Sequence, residues 1–217
     1  MKVKLGNYIK EYAVKNKNDE DIPVYSVTND KGFCTGYFSK DVASKNKTTY
    51  KIVPQGYFAY NPSRINVGSI DYQKCEDKVI VSPLYVVFSV NEEIDPDFLL
   101  SYLKSDVARA YIKAYATGSV RDNLKYDILE EIPIQMYSLE TQKKMAAHLI
   151  SVDELIEKKK YQLKLLDELV KSRFIEMFGD FKSNLQRWPV VSFPEFAEID
   201  GNMTTDYEKY ADYPHIG

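Results

Sequence analysis

An apolar stripe in the second half of this chain constrains its folding more than any other feature. From Met145 the apolar side chains recur at steps of four and three: Met145, Leu149, Val152, Ile156, then Lys159, then Leu163, Leu166, Val170, Phe174 and Met177. This is close to five heptads with one polar interruption, the seam of a two-stranded coiled coil. A seam of that length is not left in water by a folded protein. After Met177 the text turns to Gly179 and Trp188-Pro189, with no second helical stretch to receive it. The helix is therefore expected to pair with another helix, on a second chain or on a further part of this one.

Composition narrows the setting. The 217 residues suffice for one or two domains, and 44% hydrophobic with 28% charged residues is ordinary for a globular chain. Eighteen tyrosines suit a recognition surface, and equally suit a genome that favours Tyr, Lys and Asn. Cys34 and Cys75 lie in strand-like text without a CxxC spacing or a nearby histidine, which reads as two reduced core thiols in a cytoplasmic protein. The opening Met1-Lys2-Val3-Lys4 is not a signal peptide, and no apolar run reaches the length of a membrane span. The net charge of −3 argues against a free-standing DNA-binding protein. Its distribution is uneven. Residues 1–125 carry 18 Lys/Arg and 15 Asp/Glu, a net of +3, and residues 126–217 carry 11 and 17, a net of −6. Only the first half is suited to face phosphate, and the total implies that a partner supplies further neutralisation.

The first half reads as strands and turns. Ile22–Thr28 is β-branched and aromatic and closes on the turn signal Asn29-Asp30-Lys31-Gly32. Thr49–Val53 and Gly56–Tyr60 are further strands, and Lys78–Val81 and Leu84–Val90 are near-continuous apolar runs suited to buried strands. The period then changes. Asp95-Pro96 is a helix N-cap followed by proline at the first helical position, and a second helix spans Asp106 to Ala116 and ends at Gly118. Ile128–Pro133 reads as a short β-like connector. Ser138 then caps the long helix, with Glu140 in its first turn where the helix dipole favours an acid. The expected class is α+β: a globular mixed-sheet domain over residues 1–137, then a coiled-coil helix over 138–179. Residues 180–217 form a third segment. In it, Val191-Ser-Phe-Pro-Glu-Phe196 repeats the hydrophobic pattern of Val3-Lys-Leu-Gly-Asn-Tyr8, and Asp212–Ile216 lines up with Asp21–Tyr25. The offset of about 190 residues reads as the truncated start of a second copy of the first domain.

Taken in order, several stretches resemble the specificity subunits of type I restriction–modification systems. Ile22–Asn29 resembles the first strand of a target recognition domain. Gly56-Tyr-Phe-Ala-Tyr-Asn-Pro-Ser-Arg-Ile-Asn-Val-Gly68 and Val81–Tyr85 resemble the central hairpin. Ala116–Leu124, Ile132-Pro-Ile134 and Leu139-Glu-Thr-Gln142 resemble the link into the conserved helix, and Ser172-Arg-Phe174 with Met177-Phe-Gly179 resemble its end. The resemblance implies a half-length form, with one recognition domain and one conserved helix where the family usually has two of each. It implies a non-catalytic DNA reader that takes one half of a bipartite site, docks the modification (methyltransferase) and restriction subunits, and needs no cofactor of its own. A helix of 40 residues is about 60 Å long, suited to spacing two such domains along DNA. Homodimerisation through the helix, with Met145, Leu149, Val152, Ile156, Leu163, Leu166, Val170, Phe174 and Met177 as its seam, is the expected assembly. The competing reading is a non-DNA interaction module with a coiled-coil dimerisation arm.

Catalytic and metal readings find little support. Asn61-Pro62-Ser63-Arg64 superficially resembles the Asn-Pro-Pro-aromatic motif of amino-methyltransferases, but its last two positions differ and no Gly-rich loop follows a strand. His148 and His215 are far apart in sequence, and the acids are scattered over separate helical stretches. The candidate DNA contacts are Asn29 and Lys31, Asn61, Ser63, Arg64 and Asn66, and Ser119 and Arg121. Arg64 suits a bidentate grip on guanine and Asn66 on adenine. Ser119 and Arg121, beside Gly118, suit a phosphate. Against these stand plain structural readings: Asn61-Pro62 as a turn, Arg64 paired to an acid, and Gly118 as a helix C-cap. Lys159 in the seam either sets the pairing register or snorkels to water.

Overall fold

The computed structural model describes residues 2–36, 47–74, 76–116, 123–180, 183 and 186–197. The chain divides into two compact units, residues 1–157 and 158–217. The first begins with strands β1 (Lys2–Lys4), β2 (Ile9–Glu11), β3 (Ser26–Thr28), β4 (Gly32–Cys34) and β5 (Lys51–Pro54). Strands β6 (Phe58–Tyr60), β7 (Ile70–Tyr72), β8 (Lys78–Val81) and β9 (Val86–Val90) follow. Helices α1 (Pro96–Lys104), α2 (Asp106–Ala116) and α3 (Tyr126–Glu130) precede β10 (Pro133–Gln135), and α4 (Leu139–Phe178) runs on into the second unit.

A four-stranded antiparallel sheet, in the order β2–β9–β6–β7, forms the centre of the first unit. Side chains alternate faces along a strand. Phe58 and Tyr60 of β6, with Phe88 of β9, enter a core shared with Leu99 and Leu103 of α1, Ile112 of α2 and Leu129 of α3. Ala59 and Val87 face the other way, onto Val27, Phe33, Val53, Val79 and Val81. All three residues of β6 are fully buried. Burial on both faces explains why β8 and β9 read as continuous apolar runs rather than alternating ones. Phe58 stacks on Phe88 with ring centroids 5.0 Å apart, which fixes the register of β6 against β9.

The short strands close the unit. β1 pairs with β10, Val3 lying opposite Ile134, and the Leu5 amide donates to the Ile132 carbonyl at 2.9 Å. The Asp95 side chain accepts from the Phe98 amide at 3.0 Å and caps α1, as expected. The Ser138 hydroxyl accepts from the Thr141 amide at 3.3 Å at the start of α4. Gln142, one turn into α4, is fully buried with every polar atom used. Its Oε1 accepts from Asp95 N at 2.9 Å, and its Nε2 donates to the carbonyls of Glu93 and Tyr137, each at 3.0 Å. This side chain joins the first turns of α1 and α4.

Two sequence expectations differ from the structure. Ile22–Thr28 is not one strand. The Ile80 amide donates to the Pro23 carbonyl and the Tyr25 amide donates to the Ile80 carbonyl, so Val24 forms only a single bridge to β8. The chain then switches partner, and only Ser26–Thr28 pairs with β4. Ile128–Pro133 is not a β-like connector either. Its first residues belong to α3, with Leu129 fully buried, and the strand begins at Pro133. Gly6 lies against α3: a Cβ there would stand 2.9 Å from the Glu130 Cβ. This packing outweighs the β preference of Ile128. Cys34 lies on β4 as a free thiol, and Cys75 falls outside the described residues.

Along α4 only Gln142 and Ala146 are buried. The seam residues of the first unit, Met145, Leu149, Val152 and Ile156, are 36–53% exposed, and those of the second, Leu163, Leu166, Val170, Phe174 and Met177, 52–68%. In the second unit α4 ends at Gly179, whose amide donates to the Ile175 carbonyl at 2.7 Å, and Trp188 Nε1 donates to the Phe178 carbonyl at 2.8 Å. A 3-10 turn follows at Phe193–Glu195. It reproduces the backbone of the 3-10 turn at Leu5–Asn7. The preceding residues have φ/ψ of −76/148° (Ser192) and −74/138° (Lys4), and the following ones −131/−7° (Phe196) and −121/−10° (Tyr8). These are the residues that the sequence repeat aligns.

Candidate nucleic-acid interface

The described polar candidates sit on two connections of the first unit, and each of these is tied down by specific bonds. The β3–β4 turn carries Asn29 and Lys31, both exposed. Its shape is set by Thr28, whose hydroxyl accepts from the Lys31 amide at 3.1 Å. The β6–β7 connection begins with an Asx turn: Asn61 Oδ1 accepts from the Ser63 amide at 3.0 Å, and the Asn61 carbonyl accepts from the Arg64 amide at 2.9 Å. Ile65 anchors the connection in the core, while Ser63, Arg64 and Asn66 around it are exposed. The turn closes at Gly68, with φ +94°, a backbone state that glycine adopts without strain. Buried Ser69 then donates to the Val27 carbonyl at 2.7 Å and joins this connection to β3.

The two connections meet around a cavity of about 250 Å³ whose wall includes Val27, Asn29, Asn61, Arg64, Ser69 and Tyr85. None of its lining residues is acidic, and Arg64 is the charged one. Among the described residues no ion pair engages Arg64. The cavity wall therefore carries one guanidinium and two side-chain amides, that of Asn29 donating to the Asp30 carboxylate at 2.9 Å, a set of donors and acceptors suited to base edges and phosphate oxygens. Both plain readings of this segment are thus tested. Asn61 does build a turn, whereas Arg64 does not pair with a described acid.

The other candidates fall in different places. Lys31, Ser63 and Asn66 are exposed nearby but do not line the cavity. Ser119 and Arg121 lie outside the described residues. The chain that returns after them is bonded to the same connection: Asn123 Oδ1 accepts from the Ser63 hydroxyl, and the Leu124 amide donates to the Pro62 carbonyl at 3.0 Å. Tyr60 donates to the Leu124 carbonyl at 3.1 Å, and burial pushes its phenol well above the ordinary range, so it stays a neutral donor.

Sequence reasoning missed Arg109. Its Nη2 lies against Gly68, where a Cβ would stand 3.0 Å from it, and Asn29 Cβ flanks the same point at 3.9 Å. The signal was present in α2. Arg109 directly follows Ala108 and precedes Ile112 by three residues, both fully buried, so it is a guanidinium on the edge of an apolar stripe.

Among the described residues no group of three or more His, Cys, Asp or Glu could hold a metal ion. Among them, too, no helix is long and apolar enough to cross a membrane.

Comparisons with known proteins point one way. Residues 1–165 match the family model of the type I restriction modification DNA specificity domain. Over 86 residues the chain is 34% identical to the type I restriction enzyme MjaIX specificity subunit of Methanocaldococcus jannaschii, covering 40% of this chain and 20% of that protein. A chain solved in a study of complex assembly and conformational transition of the type I R-M system superposes with a TM-score of 0.55 at 16% identity, covering 79% of this chain and 43% of that one. The HsdS subunit from Thermoanaerobacter tengcongensis superposes with a TM-score of 0.50 at 16% identity, covering 75% and 39%. At these identities the likeness is one of fold, and it agrees with the α+β class. The chain spans about a fifth of the length of the archaeal relative and less than half of each solved chain.

Proposed function

The chain belongs to the type I restriction–modification DNA specificity family, and from that membership we propose that it reads one half of a bipartite DNA site for a methyltransferase complex. The family match over residues 1–165 carries this reading. Residues 1–137 form the recognition domain, 138–179 the spacer and pairing helix, and 180–217 the opening of a second recognition domain. The backbone that Ser192–Phe196 shares with Lys4–Tyr8 supports the last assignment. The chain supplies recognition, and the chemistry belongs to the modification and restriction subunits it docks. Its place of action is the cytoplasm, where cellular DNA and those subunits meet.

In this reading Asn29, Asn61 and Arg64 face the DNA from the walls of one recess, with Lys31, Ser63 and Asn66 on the surrounding connections, and Ser119 and Arg121, outside the described residues, are proposed as further contacts. The phosphate contacts fix register, and the amides and Arg64 read base edges. A weakly charged chain binds free DNA feebly, and the methyltransferase partner supplies the remaining neutralisation.

A second copy covers the helix seam. In an antiparallel pair centred on Tyr161, Met145 faces Met177, Val152 faces Val170 and Ile156 faces Leu166, while Lys159 meets Leu163. Three of these levels oppose apolar residues to apolar ones, whereas Leu149 faces Arg173 and Phe174 faces His148, and two identical readers face a split, near-palindromic site.

The test is a gel shift on duplex DNA, with the chain alone and with its methyltransferase subunit, followed by methylome sequencing of cells carrying both. The expected result is weak, salt-sensitive binding alone, sequence-selective binding together, and methylation at a split motif. If the partner confers no selectivity and no methylation pattern, the DNA-reading role is wrong.

A further inference from the structure

We infer that Arg109 of α2 contacts a DNA phosphate, its guanidinium reaching the recognition surface across Gly68 and beside Asn29. The inference rests on the DNA-reading role proposed above, and adds a residue from a helix to a surface otherwise made of connections.

Three observations carry it. Arg109 Nε is buried and is without a hydrogen-bond partner among the described residues. A buried N–H donor without an acceptor has lost its water and gained no partner in exchange. Second, Gly68 gives the guanidinium its space: Nη2 passes where a Cβ would stand only 3.0 Å away. Third, Gly68 lies between Val67 and Ser69, both on the wall of the recess that Arg64 and Asn29 share, and no acid lines that recess. The Arg109 guanidinium thus adjoins, through Gly68 and Asn29, the margin of a recess that carries a second guanidinium on its wall, and the ligand that satisfies such a group is an anion with several oxygens. On duplex DNA that is the phosphate backbone, which guanidinium groups grip in bidentate fashion.

A merely structural Arg109 would cover the Ala108–Ile112 stripe with its stem and leave DNA binding untouched. The two roles separate in the salt dependence of binding. Each neutralised phosphate contributes about 0.9 to the slope of log affinity against log salt. The full chain, Arg109→Gln and Arg109→Lys are titrated with unrelated random-sequence duplexes between about 50 and 200 mM salt. Arg109→Gln is expected to lose about 0.9 of slope and to weaken on every duplex alike, and Arg109→Lys to keep the slope. A second readout needs no substitution. Arg109 in the native chain should react with phenylglyoxal and be protected by duplex, as read by peptide mass spectrometry. An unchanged slope in Arg109→Gln, or modification that duplex does not alter, overturns the inference. Weakening confined to one sequence overturns the phosphate assignment in favour of a base contact. If the unsubstituted chain binds no duplex with or without its methyltransferase, the DNA role itself falls and the inference with it. Binding with an indifferent Arg109 removes the inference alone.

Discussion

A Cβ on Gly32 would stand 1.8 Å from Oδ2 of Asp71, so the β3–β4 hairpin lies against β7 with no room for a side chain. That same Oδ2 accepts from the Phe33 amide at 3.2 Å, and Asp71 Oδ1 accepts from the Tyr72 amide at 2.8 Å. Asp71 thus holds the turn bearing Asn29 and Lys31 at a fixed place beside the β6–β7 connection. Gly32 also has φ +60°, where a side chain is strained. Gly32→Ala should therefore cost about 1–3 kcal/mol and displace the turn. Urea unfolding reads the first effect, and loss of duplex binding beyond that explained by unfolding reads the second.

The same carboxyl gives the stability a pH dependence. Burial pushes the Asp71 acid above its ordinary 3.8, and this outweighs Lys104 and the two backbone amides, which pull it down. A raised folded-state value means the native protein holds this proton more tightly than the unfolded chain. The associated stability is complete below the unfolded value and is lost as pH rises through the folded one. Asp71→Asn cannot ionise but keeps an amide oxygen as acceptor. Measured from about pH 3.5 upward, the stability of Asp71→Asn relative to the native chain should rise across that window and then level off. A difference that stays constant with pH would place the carboxyl in water.

Gln142 makes a different kind of prediction, because its three bonds join the start of α4 to the start of α1. Gln142→Ala leaves the Asp95 amide and the Glu93 and Tyr137 carbonyls without these partners. An unsatisfied buried polar group costs about 1–3 kcal/mol, so the denaturation midpoint should fall by an equivalent amount. The denaturant slope should be unchanged, since the surface exposed on unfolding is the same.

How far the sequence revealed the fold follows from which elements are specified locally. Asp106–Ala116 and Lys78–Val81 match their expected bounds because a helix between start and stop signals, and an apolar run between polar ones, are set by neighbours in the chain. Ile22–Thr28 misled because its backbone divides its bonds between β8 and β4, a long-range choice. α3 misled because the Leu129 pocket and Gly6, far away in the chain, decide its conformation. The interface followed the same rule. Asn29 and Arg64 stood out as polar residues on turn text, but only the fold shows that they share the wall of one recess and that Gly68 lies between Asn29 and Arg109.

Arg64 lines the recess with no described acid to engage it. In the complex with the methyltransferase, Arg64→Ala should weaken binding to the target by about 1–3 kcal/mol and relax preference at one base pair. Competition binding against single-base variants of the target is the measurement. A uniform loss over all variants would assign Arg64 to phosphate instead.

The seam on α4 yields the last prediction. Its apolar residues from Met145 to Met177 are 36–68% exposed, a continuous liability for an isolated chain. Burial of such surface stabilises by roughly 25 cal/mol per Å², so pairing two helices recovers far more than the few interrupting polar groups cost. Leu166 and Val170 face Ile156 and Val152 of the other copy in the antiparallel register, so each substitution there puts a charge against an apolar residue at two places in the dimer. Leu166→Asp with Val170→Asp should give a monomer by multi-angle light scattering, while the first unit keeps its unfolding transition. Lys159→Leu should act oppositely, tightening the dimer by removing the one charge in the middle of the seam. A native chain already monomeric at tens of micromolar, with Lys159→Leu no different, would rule out pairing of two copies through the seam.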